Sequence, residues 1–136
     1  MKQNTRFRLF LILTAALFVL VGCSPAQARA KTVTLTEADA GKTIELQNGN
    51  LLVVVLDGNI TTGFNWEMVP QTPAVLEQLG EPEATPDSSA LGAGGKISLK
   101  FQAVQTGQAS LTLIYHRSFE KDVPPEKTFE VTILVK

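Results

Sequence analysis

Few side chains in this 136-residue sequence could drive a reaction. It holds one cysteine, Cys23, and one histidine, His116. A thiol nucleophile needs a base or a positive neighbour to become a thiolate. Cys23 instead closes Leu20-Val21-Gly22-Cys23, behind an apolar run from Leu9 to Val21. Such a site resembles the bacterial lipobox, in which small residues admit the signal peptidase and the thiol carries lipid. His116, Ser118 and Asp122 can be written as a base, nucleophile and acid, yet alternating neighbours in one loop rarely converge in triad geometry. A lone His leaves zinc short of its three or four ligands. Neither a phosphate loop nor a dinucleotide fingerprint occurs. The sequence argues against an enzyme, and no cofactor or metal is expected.

Three other clusters have the composition of binding loops. They are Asn59-Ile60-Thr61-Thr62-Gly63-Phe64, Leu91-Gly92-Ala93-Gly94-Gly95 and His116-Arg117-Ser118-Phe119. Gly63 permits a sharp turn into Phe64, an expected core anchor, and Thr61 offers a compact hydroxyl. Gly92, Gly94 and Gly95 let backbone approach a partner closely. Leu91 is apolar in an otherwise small and polar stretch. Arg117 and Phe119 pair a planar cation with an aromatic, types enriched at interface hot spots. Each has a plainer alternative: a solvated hairpin for Thr61-Thr62, a floppy loop for the glycines, and a cap on the core for Leu91. For Arg117 the alternative is a surface pair with Glu120 or Asp122, and His116 reads as a loop-end residue. Asn59-Ile60-Thr61 also matches a glycosylation sequon, which a bacterial lipobox makes accidental.

The elements that must hold these clusters are strands. From Thr32 onward apolar and polar residues alternate, the period of a half-buried strand. Turn-formers separate the runs at Ala40-Gly41-Lys42, Asn48-Gly49-Asn50, Asp57-Gly58-Asn59 and Thr106-Gly107-Gln108. The pattern predicts strands A (32–36 with 43–47), B (51–56), C (64–69), D (74–79), E (96–104), F (108–116) and G (128–135). Residues Thr72–Leu79 also admit a short helical turn or an irregular strand. About seven short strands in one domain predict an all-β, immunoglobulin-like sandwich, with Trp66 buried on strand C. The usual inter-sheet disulfide is absent, so the likeness is architectural. Because successive strands alternate in direction, the B–C, D–E and F–G loops, 57–63, 80–95 and 117–127, must share one end. The three clusters lie there.

In this order, on alternate loops, the clusters resemble the chagasin family of proteinaceous inhibitors of papain-like cysteine peptidases. That family's pattern is N-P-T-T-G-aromatic, then G-x-G-G, then R-P-aromatic, and the resemblance covers Thr32 to Lys136. It implies that the B–C loop enters the peptidase cleft and faces its catalytic residues. Leu91 would fill the apolar specificity pocket, and Arg117, Ser118 and Phe119 would flank the cleft. It implies reversible occlusion without covalent chemistry. Ile60 and Ser118 stand where the family has proline, which removes a φ restriction and should loosen the loops. The competing class is a lipid-anchored immunoglobulin-like adhesion module, which has no reason to carry all three motifs.

The remaining organisation follows from the N-terminus. Lys2, Arg6 and Arg8 precede an apolar run too short to span a bilayer comfortably, as in a secretory signal. An ordinary signal cut near Ala26-Gln27-Ala28 is the alternative. The expected parts are a lipoprotein signal peptide over 1–22, a lipidated tether over 23–31, and the inhibitor domain over 32–136. Acylated Cys23 would hold the exported protein at the cell membrane or the outer membrane, with lipid as its sole membrane contact. Without Lys2, Arg6 and Arg8, the total of 12 Lys/Arg falls to nine against 13 Asp/Glu, near −4. With no basic run, nucleic acid is excluded as a partner. The domain is expected to be monomeric.

Overall fold

A computed structural model describes residues 29–136. The segment 1–22 and Cys23 lie outside the described residues.

Among the described residues nine strands form: β1 (Thr32–Thr36), β2 (Thr43–Leu46), β3 (Leu51–Gly58), β4 (Asn65–Met68), β5 (Leu76–Gln78), β6 (Glu83–Pro86), β7 (Gly95–Ala103), β8 (Gly107–His116) and β9 (Lys127–Val135). One sheet runs β1-β3-β7-β5, with β6 also on β7, and the other runs β2-β9-β8-β4. The alternation sets which face each strand buries. Leu52, Val54 and Leu56 point inward from β3, and Ile97, Leu99 and Phe101 from β7. They meet Leu111, Leu113 and Tyr115 of β8 and Phe129, Val131 and Ile133 of β9 in one core. Trp66 of β4 is buried beside them. Each fully buried aliphatic or Phe side chain contributes roughly 1.5–3 kcal/mol, so the domain needs no disulfide.

The sandwich is as expected, with two refinements. Strand A divides: β1 pairs parallel with β3 in one sheet, and β2 pairs parallel with β9 in the other. The stretch between them holds a short 3-10 turn, Glu37–Asp39. It carries the chain from one sheet to the other. Strand D continues past its expected end. After Gly80, at φ 73°, the chain returns to the same edge of β7 and pairs again as β6. Residues 72–79 accordingly hold a strand, Leu76–Gln78, rather than a helical turn.

Strand directions place the connections. β3 and β7 are antiparallel, as are β4 with β8 and β8 with β9. The turns after β3, β6 and β8 therefore gather at one end. The chain reaches β1 at the other end, where the Leu51 amide donates to the Lys31 carbonyl at 2.9 Å.

Candidate functional site

The B–C loop is built around Asn59. Its backbone is extended (φ −140°, ψ 98°), and its side chain caps a 3-10 turn over Ile60–Thr62. Asn59 Oδ1 accepts from Thr61 N at 3.1 Å and Thr61 Oγ1 at 2.6 Å, while Thr62 Oγ1 donates to Asn59 O at 2.6 Å. Both threonine hydroxyls are thus directed at Asn59 in the free protein. Gly63, at φ 80°, closes the turn with its N–H on Ile60 O. Ile60 is left exposed at the apex.

Beneath this turn stands an aromatic column of Phe64, Tyr115 and Trp66, whose middle member sequence reasoning did not single out. Tyr115 is the last inward-pointing residue of β8, and its ring packs against Phe64 at 5.2 Å and Trp66 at 5.1 Å between centroids. Tyr115 Oη accepts the Asn59 N–H at 2.7 Å. Trp66 Nε1 donates to Asp57 O at 3.1 Å. The two residues flanking Gly58 are thereby fixed to the core. A Cβ on Gly58 would crowd Ile97 and Tyr115, so only glycine fits without repacking. Phe64 is half-buried and packs on the core, as expected of an anchor. The available signal was position: the final core residue of strand F must underlie a loop.

The D–E loop is shorter than its composition suggested. β6 occupies part of the expected 80–95 loop, and Asp87 N donates to Gly94 O at 3.0 Å to close the hairpin. Gly92 takes a positive φ of 76°. Gly95 has a different reason to be glycine. A Cβ there would collide with the Thr85 carbonyl and Pro86 of β6, so its smallness serves the hairpin rather than a partner. Ala93 is half-buried, with its N–H on Ala90 O at 3.1 Å, and Gly94 is exposed. Leu91 is fully exposed, at 104% relative accessibility, so it caps no core.

In the F–G loop, Arg117 faces inward. Its Nε donates to Thr62 O at 3.0 Å, its guanidinium lies 4.3 Å from the Phe64 ring centre, and Nη1 donates to Glu120 Oε1 at 3.0 Å. Of the two acidic neighbours considered, Glu120 is the partner found. Ser118 and Phe119 are exposed. A Cβ on Gly63 would lie 3.2 Å from Phe119 Cε1, so the Phe119 ring edge rests over that glycine. Farther along, Val123 adds another exposed apolar side chain, 55% accessible, which the motifs did not flag.

Cross-links join the loops. Asn59 Nδ2 donates to Gly92 O at 2.8 Å, linking B–C to D–E, and Arg117 links F–G to B–C. Asn59 accepts through one amide atom and donates through the other, which fixes the orientation of the amide. Near the loop base, Asp57 pairs with Lys96. That hydrogen-bonded ammonium holds the Asp57 carboxyl below its usual range, and the carboxylate raises Lys96. His116 Nε2 lies 2.8 Å from Glu67 Oε2 across β8 and β4, as befits a strand-end residue. No set of three or more His, Cys, Asp or Glu able to hold a metal occurs among the described residues.

The chagasin family peptidase inhibitor I42 family matches residues 45–133. The chain belongs to this family. Its members are peptidase inhibitors, not enzymes. The chain is 30% identical to amoebiasin-1 of Entamoeba histolytica over 106 residues, covering 76% of this chain and 100% of the relative. A crystal structure of a cysteine protease inhibitor from Entamoeba histolytica superposes with a TM-score of 0.68 at 19% identity, covering 79% of this chain and 98% of that one. PbICP-C in its complex with falcipain-2 superposes with a TM-score of 0.52 at 16% identity, covering 79% of this chain and 100% of that one. The two structures show the shared fold. The whole length of amoebiasin-1 is thus matched over 106 residues, about the length of the described region.

Proposed function

We propose that this chagasin-family chain is a reversible, monomeric inhibitor of papain-like cysteine peptidases that seats its B–C, D–E and F–G loops across the active-site cleft. One observation carries the reading. Ile60, Leu91 and Phe119, large apolar side chains that a soluble domain would normally shelter, stand exposed on three cross-linked loops at one end. Side chains so exposed are free to enter a concave peptidase cleft. The family membership and the falcipain-2 complex of PbICP-C support the same reading. Contact through three loops would bury about 800 Å² on each partner, the usual extent for protease–inhibitor pairs. In this arrangement Ile60-Thr61-Thr62 meets the catalytic centre, Leu91 takes the apolar specificity pocket, and Phe119 lies along the rim. The B–C apex is a 3-10 turn rather than an extended strand that could lie along the cleft as a substrate does, so occlusion is steric and reversible.

The test is a tight-binding titration of the soluble 24–136 fragment into papain. Stoichiometric loss of activity, recovered on dilution, is expected; undiminished activity at micromolar inhibitor contradicts the reading.

We further propose that acylated Cys23 anchors the exported protein to a membrane through the tether 24–31. Because the chain joins β1 at the end opposite the loops, an anchored domain would turn its binding edge away from the bilayer. Cys23→Ser should abolish lipid labelling and release the domain from the membrane fraction. Membrane retention with normal processing would contradict the anchor.

A further inference from the structure

Arg117 is the residue of the third loop that most resembles a contact for a partner, yet its geometry is directed into the inhibitor. Three separate groups of its own chain hold it: the Thr62 carbonyl on Nε, the Glu120 carboxylate on Nη1, and the Phe64 ring under the guanidinium plane. Thr62 ends the 3-10 turn whose apex is Ile60, and Phe64 follows the left-handed Gly63. Arg117 therefore grips the B–C loop on both sides of its glycine. Glu120 is positioned to hold the guanidinium because its own N–H donates to Arg117 O at 3.0 Å, folding the chain back by one turn. The ion pair is equally part-exposed on both sides, 33% and 33%. Such a pair adds little to global stability; its effect is orientation.

We infer that Arg117, fixed by Glu120, is a positioning residue that pre-organises the B–C loop from the F–G loop, acting through Thr62 and Phe64 rather than on the peptidase. This rests on the loops being the peptidase-binding edge. It also accounts for how a B–C loop with Ile60 and an F–G loop with Ser118, neither rigidified by proline, keep a defined path. A fork-shaped cation is required. Lysine has no Nε–H at that position and no plane to lay on Phe64.

The test reads the free and the bound states separately, on the 24–136 fragment. Amide hydrogen exchange of Thr61, Thr62 and Gly63 is measured without peptidase, and the inhibition constant is measured with papain. For Arg117→Ala, exchange in the turn should accelerate about tenfold or more, and the inhibition constant should rise by at least about tenfold. Arg117→Lys should behave nearly as badly on both measures. Leu91→Ala, which removes an exposed side chain with no internal partner, should raise the inhibition constant and leave exchange unchanged. An Arg117→Ala variant that loses affinity while its turn exchanges as in wild type would make Arg117 a direct contact and overturn the inference. Restoration of both measures by Arg117→Lys would overturn it as well. Since exchange is read in the absence of peptidase, a wild-type protein that fails to inhibit papain would sink the functional reading without obscuring the exchange result.

Discussion

The two ends of the sandwich are closed by different means. At the end where the chain joins β1, backbone mostly meets backbone, with the side chain of Asn50 accepting the Lys31 N–H through Oδ1 at 3.2 Å. Asn48 N donates to Lys136 O, Gly49 N to Ala103 O, Val104 N to Val75 O and Lys136 N to Leu46 O, all within 3.1 Å. Such bonds are indifferent to side-chain identity, and the turns there need only an occasional glycine. At the loop end the ties between loops run from side chain to backbone, through Asn59, Tyr115 and Arg117. Those ties specify individual residues. The difference teaches that the far end serves the fold, whereas the loop end holds a defined shape outward. Among the described residues, four of the seven exposed large hydrophobic ones, Ile60, Leu91, Phe119 and Val123, lie on its three loops.

The sharpest way to break this comparison is to alter the loop apex without touching the fold. Thr61 is exposed and its partners are local. Thr61→Arg should raise the papain inhibition constant by about 100-fold or more, through a bulky side chain set against the catalytic centre. Its melting temperature should stay within a degree or two of wild type. Equal inhibition by variant and wild type would show that this loop stays outside the cleft.

A matched pair of substitutions sharpens the contrast. Gly63 and Gly49 have nearly the same left-handed φ, 80° and 86°, at opposite ends. Alanine at either position should cost about 1–2 kcal/mol of folding stability, since a Cβ is disfavoured in that conformation. A Cβ at Gly49 meets nothing within 4 Å, whereas one at Gly63 presses on Phe119. Gly63→Ala should therefore weaken inhibition about tenfold while Gly49→Ala leaves it unchanged. Denaturant melts and inhibition titrations on both variants check this. Equal affinity losses would mean that the far end also contributes to binding.

Restoring the family's proline should act in the opposite direction. Ile60 is the first residue of the 3-10 turn, where an N–H has no partner within the turn and proline is tolerated. Asn59 before it is already extended, as a residue preceding proline must be. Ile60→Pro should stabilise by about 0.4–1 kcal/mol and tighten papain inhibition several-fold, measured by calorimetry and titration. Loss of affinity at unchanged stability would show that the bound loop follows another path.

The smallest effect expected is electrostatic. Asp57 is held below its usual pKa by Lys96, so the pair contributes fully above about pH 5 and is lost as pH falls through the folded-state pKa, below the unfolded value of about 3.9. Both groups are about half exposed, and salt should screen the effect. Thermal melts from pH 6 to pH 3 should show wild type losing slightly more stability than Asp57→Asn at low ionic strength. Parallel curves would remove the pair from the loop base.

Most of the framework was legible in the sequence because the buried faces of β3, β7, β8 and β9 repeat strictly in twos. That alternation and the strand order also place the three loops at one end. β6 was not legible, because all four of its residues are exposed and two prolines flank or end it. The division of the first strand between two sheets left no periodic signal either. At the site, the motifs located the exposed Ile60, Leu91 and Phe119. They did not reveal which neighbours are turned inward. Arg117 and Asn59 look like surface residues in a list of types, and only the fold brings them to Thr62, Phe64 and Gly92. Gly95 illustrates the converse, a motif glycine whose local requirement is the carbonyl of Thr85.

The central claim is that the loop end is the binding edge. Hydrogen-exchange footprinting of the 24–136 fragment with and without saturating papain, its active-site thiol left free, tests it most directly. New protection should be confined to residues 59–64, 88–94 and 117–123, with the turns around Gly49 and Gly107 unchanged. Protection centred on those far turns, or along the β4 edge, with the three loops exchanging as in the free protein, would contradict it.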